Sequence, residues 1–339
     1  MTGTMPDQAA IDAAARALEA GRLVAFPTET VYGLGADAQN PAAIAAIYAA
    51  KGRPSNHPVI VHLAPGADIG RWASDIPDEA RKLIAAFWPG PLTLILKRAA
   101  GVPAAVAGGQ DSIGLRCPSH PVAQALLRAF RNGQGGVAAP SANRFGHVSP
   151  TTAAHVLDEF GSGPESPLAA VLDGGASEVG IESTIVDLSR MDSSGPALLR
   201  PGQVSAAQIA EVIGTWPGVA GADAPRVSGA LASHYAPRTP VVLVDSDAIA
   251  PALERLAATG RRAALIVFDA AHAAGSHVAL PALPEGYAQG LYAALRKMDA
   301  AGADVILVEQ PPQEAAWLGV NDRLRRAAHG SEQALERII

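Results

Sequence analysis

The residues from Pro41 to Lys51 place apolar side chains at Ile44, Ile47 and Tyr48, with Asn40 ahead of them as a cap and proline at the first helical position. Gly52 and Pro54 then stop the helix, and Val59-Ile60-Val61-His62-Leu63 follows as a buried strand. A helix that breaks into a short loop ahead of a buried strand is a unit of α/β architecture, and it sets Lys51, Arg53 and His57 at that break. Lysine is scarce, with four in 339 residues (Lys51, Lys82, Lys97 and Lys297), so a lysine two positions before an arginine is more than solubilising decoration. A point-charge ammonium beside a forked guanidinium suits a polyphosphate better than a single carboxylate. Cations are also favoured at any helix C-terminus, by about 0.3–1 kcal/mol, so this corner alone leaves both readings open.

The same alternation runs through the first two hundred residues. Asp7 caps a helix carrying Ile11, Ala14, Ala15 and Leu18, and Gly21 ends it. Strand Leu23 to Phe26 delivers Pro27-Thr28-Glu29-Thr30-Val31-Tyr32-Gly33-Leu34-Gly35, a hydroxyl- and glycine-rich loop at a strand end, where ligands of open α/β sheets gather. Gly33 and Gly35 are equally suited to a tight turn. His62 interrupts the apolar pattern of its strand and reads either as a satisfied core residue or as a ligand. A helix over 77–87, the turn Trp88-Pro89-Gly90-Pro91 and a strand from Leu92 to Leu96 come next. Strand Ser112 to Arg116 ends on a cation that can hold a carboxylate in bidentate fashion. Val137 to Asn143 puts Ser141 and Asn143 at another strand end, and Ser149 is placed to cap a helix through Phe160. A strand from Ala170 to Leu172 leads through Asp173-Gly174-Gly175 to a further strand opened by Ser183 and Thr184. Arg200 stands at a strand end before a helix over 205–213.

Residues 214–238, rich in Gly, Pro and Ala, read as a linker ending in Ser233-His234-Tyr235-Ala236-Pro237. Beyond Pro240, runs at Val241–Val244, Ala264–Phe268 and Val305–Val308 alternate with helical segments near 247–259 and 285–300, the pattern of a small parallel sheet wound with helices. The segment 321–329 continues the last helix, with its arginines read as a solvated face. A net charge of −6 argues against a surface that coats nucleic acid. Cys117 is the single cysteine, which excludes an intramolecular disulfide and a cysteine-based zinc site. No apolar run approaches about 18 residues and no leader-like segment opens the chain, so a cytoplasmic protein that does not engage the membrane is expected.

In order, PTETVYGLG, KGRP with its trailing VIVH, WPGPLTL, APSAN, SPT, ESTIVD and LRPG occupy residues 23–202, with Lys-x-Arg at 51/53 and Ser-x-Asn at 141/143. This set resembles the YrdC-like domain of threonylcarbamoyl-AMP synthases, and HYAP, LRKMDAAGAD and NDRLRRAA resemble the C-terminal part of the long, two-domain form. The resemblance implies an α/β chain: a YrdC-like twisted mixed sheet with helices over 7–203, a linker or lid over 204–238, and a smaller Rossmann-like parallel α/β domain over 239–339.

It also implies a nucleotidyltransferase that joins L-threonine, bicarbonate and ATP into threonylcarbamoyl-AMP and pyrophosphate. The product would serve tRNA threonylcarbamoyl-transferase proteins that modify adenosine next to the anticodon, with no stable direct tRNA binding required. Carried over by position, threonine falls to Thr30, His62, Arg116, Ser183 and the backbone near Ala139. ATP falls to Lys51, Arg53, His57, Ser112, Ser141, Asn143, Ser149, Arg200 and Tyr235, with Lys51 and Arg53 carrying the catalytic charge. Mg²⁺ would arrive with ATP, held by phosphates and water, with no protein metal site. Tyr235 on the linker is expected to close over the nucleotide. His57 stands where the family often has asparagine, and Val227-Ser228-Gly229-Ala230 where Pro-Gly-Met is expected. Carbamoyl transfer in hydrogenase maturation and RNA binding are the rival readings. The single cysteine opposes the first, and the acidic charge and lack of interleaved aromatic and basic residues oppose the second.

Overall fold

The computed structural model describes residues 6–229, 233–269 and 275–331. The chain divides into two units: Met1–Phe145 with Pro150–Ala230, and Gly146–Ser149 with Leu231–Ile339.

Among the described residues of the first unit, eleven strands form one mixed sheet. They are β1 (Leu23–Phe26), β2 (Gly33–Asp37), β3 (Val61–Leu63), β4 (Ala73–Ser74), β5 (Leu92–Arg98), β6 (Ser112–Arg116), β7 (Gly136–Ala138), β8 (Leu168–Val171), β9 (Thr184–Asp187), β10 (Ala197–Arg200) and β11 (Gly218–Val219). Their order is β11-β10-β9-β5-β6-β3-β7-β2-β1-β8, with β4 paired to β5. Because successive side chains of a strand point to opposite faces, Leu23 and Ala25 enter one core while Val24 and Phe26 enter another. The first core is closed by helices Pro41–Lys51, Asp78–Phe87, Ala153–Phe160 and Ala206–Ile213, and the second by Gln8–Glu19 and Pro121–Ala129. Apolar runs such as Leu92–Ile95 are therefore buried throughout.

The helix ends follow the expected chemistry. Asp7 accepts from Ala10 N, Asn40 accepts from Ala42 N and Ala43 N, and Gly52 ends its helix in the left-handed conformation at φ 62°. Three local expectations are corrected. Thr152, not Ser149, caps the helix Ala153–Phe160, its hydroxyl accepting from His155 N; Ser149 lies three residues too early and is fully buried. Gly33 and Gly35 lie within β2 instead of a tight turn. A Cβ on Gly35 would come within 2.9 Å of the Phe26 ring and 3.0 Å of Val24 O, so glycine is needed for close strand approach. The strand expected from Val59 begins only at Val61: Val59 N–H goes to Val106 O, outside the sheet, although the bond from Ala139 N–H to Ile60 O carries the pairing with β7 one residue further.

The second unit has four described strands, β12 (Val241–Val244), β13 (Ala263–Val267), β14 (His277–Ala279) and β15 (Val305–Glu309). All pair in parallel in the order β12-β15-β13-β14. Helices Ile249–Ala258, Pro284–Asp299 and Leu318–Ala328 accompany them. The last helix overturns the solvated-face expectation for its arginines. Arg323 is fully buried, donates to Asp322 at 2.9 Å and lies over the Tyr235 ring at 5.6 Å, while Arg326 also reaches Asp322. Only Arg325 of the three is exposed. Among the described residues no helix is long and apolar enough to cross a membrane.

Candidate active site

Lys51 closes the helix Pro41–Lys51, and its side chain is buried. Its ammonium donates to Ser141 O at 2.6 Å and to Asn143 O at 2.5 Å, and among the described residues it touches no carboxylate. The chain is drawn round it further by Phe145 N–H, which donates to Lys51 O. Burial, and then the neighbouring Arg53, hold the Lys51 ammonium well below its usual range, with Glu159 and Glu182 opposing. Asn143 spends its amide on Arg144 O, so it is its backbone that meets Lys51.

Arg53, also buried, donates to Pro58 O at 2.8 Å, and both its terminal nitrogens lie 3.4 Å from Ser228 Oγ. Its guanidinium sits 5.9 Å from the centre of the Phe145 ring, against which His57 packs edge-on at 5.5 Å. Burial first, and then Arg53 and Arg226, lower the His57 pKa. Arg200, at the end of β10, donates to Ser183 O at 3.0 Å, Ser183 Oγ at 3.1 Å and Ser228 O at 2.8 Å. Ser228 thus joins Arg53 to Arg200 through its hydroxyl and its carbonyl. Ser112 shares a shallow cavity with Ser228, Val227, Ile95 and Ile185.

Arg116, at the end of β6, is held on two sides. Its Nε donates to Gly90 O at 3.2 Å and its Nη1 to Thr30 Oγ1 at 2.9 Å. The Thr28 hydroxyl hydrogen goes to Val31 O at 2.6 Å, so Thr30 supplies the hydrogen of the 2.9 Å contact between the two threonine hydroxyls. Thr30 therefore turns an acceptor toward Arg116. Glu29 Oε1 lies 2.7 Å from Arg116 Nη2, both side chains being about 4% exposed. His62 is paired in register with Arg116 across β3 and β6, and its ring meets Phe26 edge-on at 6.1 Å. Burial, and then Arg116, push its imidazole down to about 3, so it is neutral, with the carbonyls of Ile60 and Val137 opposing. Ala139 lies beside this group, its N–H bound to Ile60 O.

The structure thus brings twelve of the fourteen expected positions into the first unit, with Ser183 and Arg200 linking the expected threonine and ATP groups. Ser149 and Tyr235 belong to the second unit. There Tyr235 is buried at a left-handed φ of 60°, packed on His234 and Tyr292.

Four residues were missed. Thr28 and Glu29 lie inside PTETVYGLG, and Thr93, whose hydroxyl is 2.8 Å from Ser183 Oγ, lies inside WPGPLTL. A polar side chain repeated within a strand-end motif was the available signal for these. Nothing in the sequence marked Ser228 as the residue between two arginines. Gly202, of LRPG, has a local reason: a Cβ there would stand 2.5 Å from Thr184 N.

A family model described as telomere recombination matches residues 16–202, and one described as the threonylcarbamoyl-AMP synthase C-terminal domain matches 204–329. The threonylcarbamoyl-AMP synthase of Pyrococcus abyssi is 38% identical over 326 residues, covering 93% of each chain. The chain belongs to the threonylcarbamoyl-AMP synthase family. The Bacillus subtilis synthase is 38% identical over 333 residues, covering 94% of this chain and 92% of its own. The solved structure of P. abyssi Sua5 complexed with L-threonine superposes with a TM-score of 0.88 at 36% identity, covering 96% of each chain. The fold expectation, a mixed sheet with a second, smaller parallel sheet, agrees with this family likeness.

Proposed function

We propose that the protein is an L-threonylcarbamoyladenylate synthase, a nucleotidyltransferase that joins L-threonine, bicarbonate and ATP and releases pyrophosphate. The observation that carries the reading is Lys51. A buried ammonium bonded to two carbonyls and touching no carboxylate among the described residues is stabilised by an incoming polyanion. Arg53 and Arg200 extend that positive charge, and the Ser183–Arg200 contact sets the amino-acid end one hydrogen bond from the nucleotide end.

The chemistry needs no covalent nucleophile. The threonine amine, once it has given up its ammonium proton, attacks the bicarbonate carbon and a C–O bond breaks to release water, leaving a carbamate; a carbamate oxygen then attacks the α-phosphorus while the bond to pyrophosphate breaks. The protein contributes by holding two anions together and by neutralising charge on the leaving group. Arg116 takes the threonine carboxylate, with Thr30, His62, Ser183 and the Ala139 backbone around it. Lys51, Arg53 and Arg200 take the phosphates, with His57, Ser112, Ser141 and Asn143 completing the nucleotide side within the first unit. Mg²⁺ enters as the ATP complex. The donors gathered here are cations, hydroxyls and carbonyls, which suit a metal carried by its phosphates and water. The product passes to tRNA threonylcarbamoyl-transferase proteins in the cytoplasm for modification next to the anticodon.

The test is pyrophosphate release from MgATP and bicarbonate with and without L-threonine. Threonine-dependent release is the expected result, and release indifferent to threonine from folded protein overturns the reading.

A further inference from the structure

We propose that Glu29 is a specificity-determining residue that receives the α-ammonium of the amino-acid substrate beside Arg116, so that the pair recognises a zwitterion. The inference deepens the synthase reading and rests on it for the placement of the amino acid at Arg116.

The geometry leaves two atoms of opposite charge side by side. Arg116 Nη2 and Glu29 Oε1 lie 2.7 Å apart but out of hydrogen-bond alignment, and among the described residues neither finds an aligned hydrogen-bond partner. Every other polar position behind them is engaged. Arg116 Nε donates to Gly90 O, Nη1 donates to Thr30 Oγ1, and Glu29 Oε2 accepts from Ser119 N at 3.1 Å. Glu29 O accepts from Val179 N at 2.7 Å. Both side chains are therefore tethered from the rear, and the remaining donor edge and acceptor edge are ion-paired with each other without an aligned hydrogen bond. Buried polar atoms are hydrogen-bonded in the great majority of cases, and each exception calls for an explanation such as a catalytic role or a bound group. His62 Nδ1, on the strand position beside Arg116, is a third such atom.

Charge specifies the ligand. Arg116 and Glu29 sum to zero and His62 is neutral, so the pocket offers no net attraction to a simple carboxylate, which would gain Arg116 but meet Glu29. An α-amino acid carries its carboxylate and its ammonium on one carbon and can satisfy both edges at once. A purely structural Glu29, neutralising a buried arginine, would support an amino acid and its deaminated analogue equally.

Calorimetric titration of the full-length protein with L-threonine and with 3-hydroxybutyrate, the same molecule without its amine, tests this directly. Wild type is expected to prefer threonine by roughly 10- to 100-fold, the range of one charge-assisted hydrogen bond. In Glu29→Gln, with folding checked by thermal melting, the preference should shrink to a few-fold through loss of threonine binding, 3-hydroxybutyrate binding being unchanged or stronger. Equal weakening of both ligands, or an undiminished preference in the variant, overturns the role of Glu29 alone. If Glu29→Gln does not fold, the wild-type arm still decides, since equal binding of the two ligands overturns the proposal and a preference for the amine supports it. Wild-type protein that binds no L-threonine overturns the synthase reading itself.

Discussion

Replacing Lys51 with methionine separates a charge kept for a ligand from a charge kept for the fold. The substitution preserves most of the buried volume and removes the ammonium, leaving Ser141 O and Asn143 O without their donor. Each orphaned carbonyl costs about 1–3 kcal/mol. Against this, the variant no longer buries an ammonium whose burial is itself unfavourable, the same desolvation that holds its pKa below the usual range. The two effects oppose, so the urea midpoint should move little at pH 7. Catalysis has no such offset. Losing one preorganised cation at developing charge costs about 2.7–4 kcal/mol, or roughly 10²–10³ in rate. Threonine-dependent pyrophosphate release should therefore fall by that factor in a protein of near wild-type stability. The pH dependence gives a second reading. Folded Lys51 holds its proton less tightly than unfolded lysine, so the penalty is fully present at pH below the folded value and relaxes as pH climbs toward 10.5. Wild-type stability measured relative to Lys51→Met should accordingly rise with pH across that interval. A folded Lys51→Met with activity within tenfold of wild type would refute the phosphate role.

Thr93→Val removes the hydroxyl 2.8 Å from Ser183 Oγ in a fully buried position. The expected cost is about 1 kcal/mol, read as a roughly five-fold rise in the KM for threonine with little change in that for ATP. His62 is neutral in the folded protein down to about pH 3, so wild-type stability should fall as pH drops below 6.5, by up to about 1.4 kcal/mol per pH unit. Urea unfolding of His62→Gln should show a slope shallower by that amount. Asp322→Ala strips the carboxylate from fully buried Arg323 and from Arg326, and should destabilise the second unit by on the order of 3 kcal/mol. Thermal unfolding checks it, and a melting temperature within a degree of wild type would refute that account.

What could be read ahead of the structure was local. The caps Asp7 and Asn40, the stop at Gly52 and the strands Leu23–Phe26 and Thr184–Asp187 follow from residues adjacent in the chain, because helix ends and strand alternation are satisfied within a few positions. The capping of Ala153–Phe160 was misread because Ser149 and Thr152 are chemically equivalent caps and only backbone geometry chooses between them. The last helix was misread for a different reason. A run such as Asn321-Asp322-Arg323 looks solvated by composition, and it is the tertiary structure that buries Arg323 against Tyr235, where the neighbouring Asp322 carboxylate neutralises it.

The site divides along the same line. The sequence by itself determined which groups are available, namely Lys51 with Arg53, Ser141 with Asn143, and arginines at the ends of two strands, because strand and helix ends are legible from local pattern. Only the tertiary structure decided their pairings: Glu29 against Arg116 across 87 positions, Ser183 against Thr93 and Arg200, and Ser228 between two arginines. Those pairings depend on the strand order β10-β9-β5-β6-β3-β7-β2-β1, in which neighbours in space are often distant in the chain. Short-range periodicity records which face of a strand is buried, and carries nothing about which strand lies beside it.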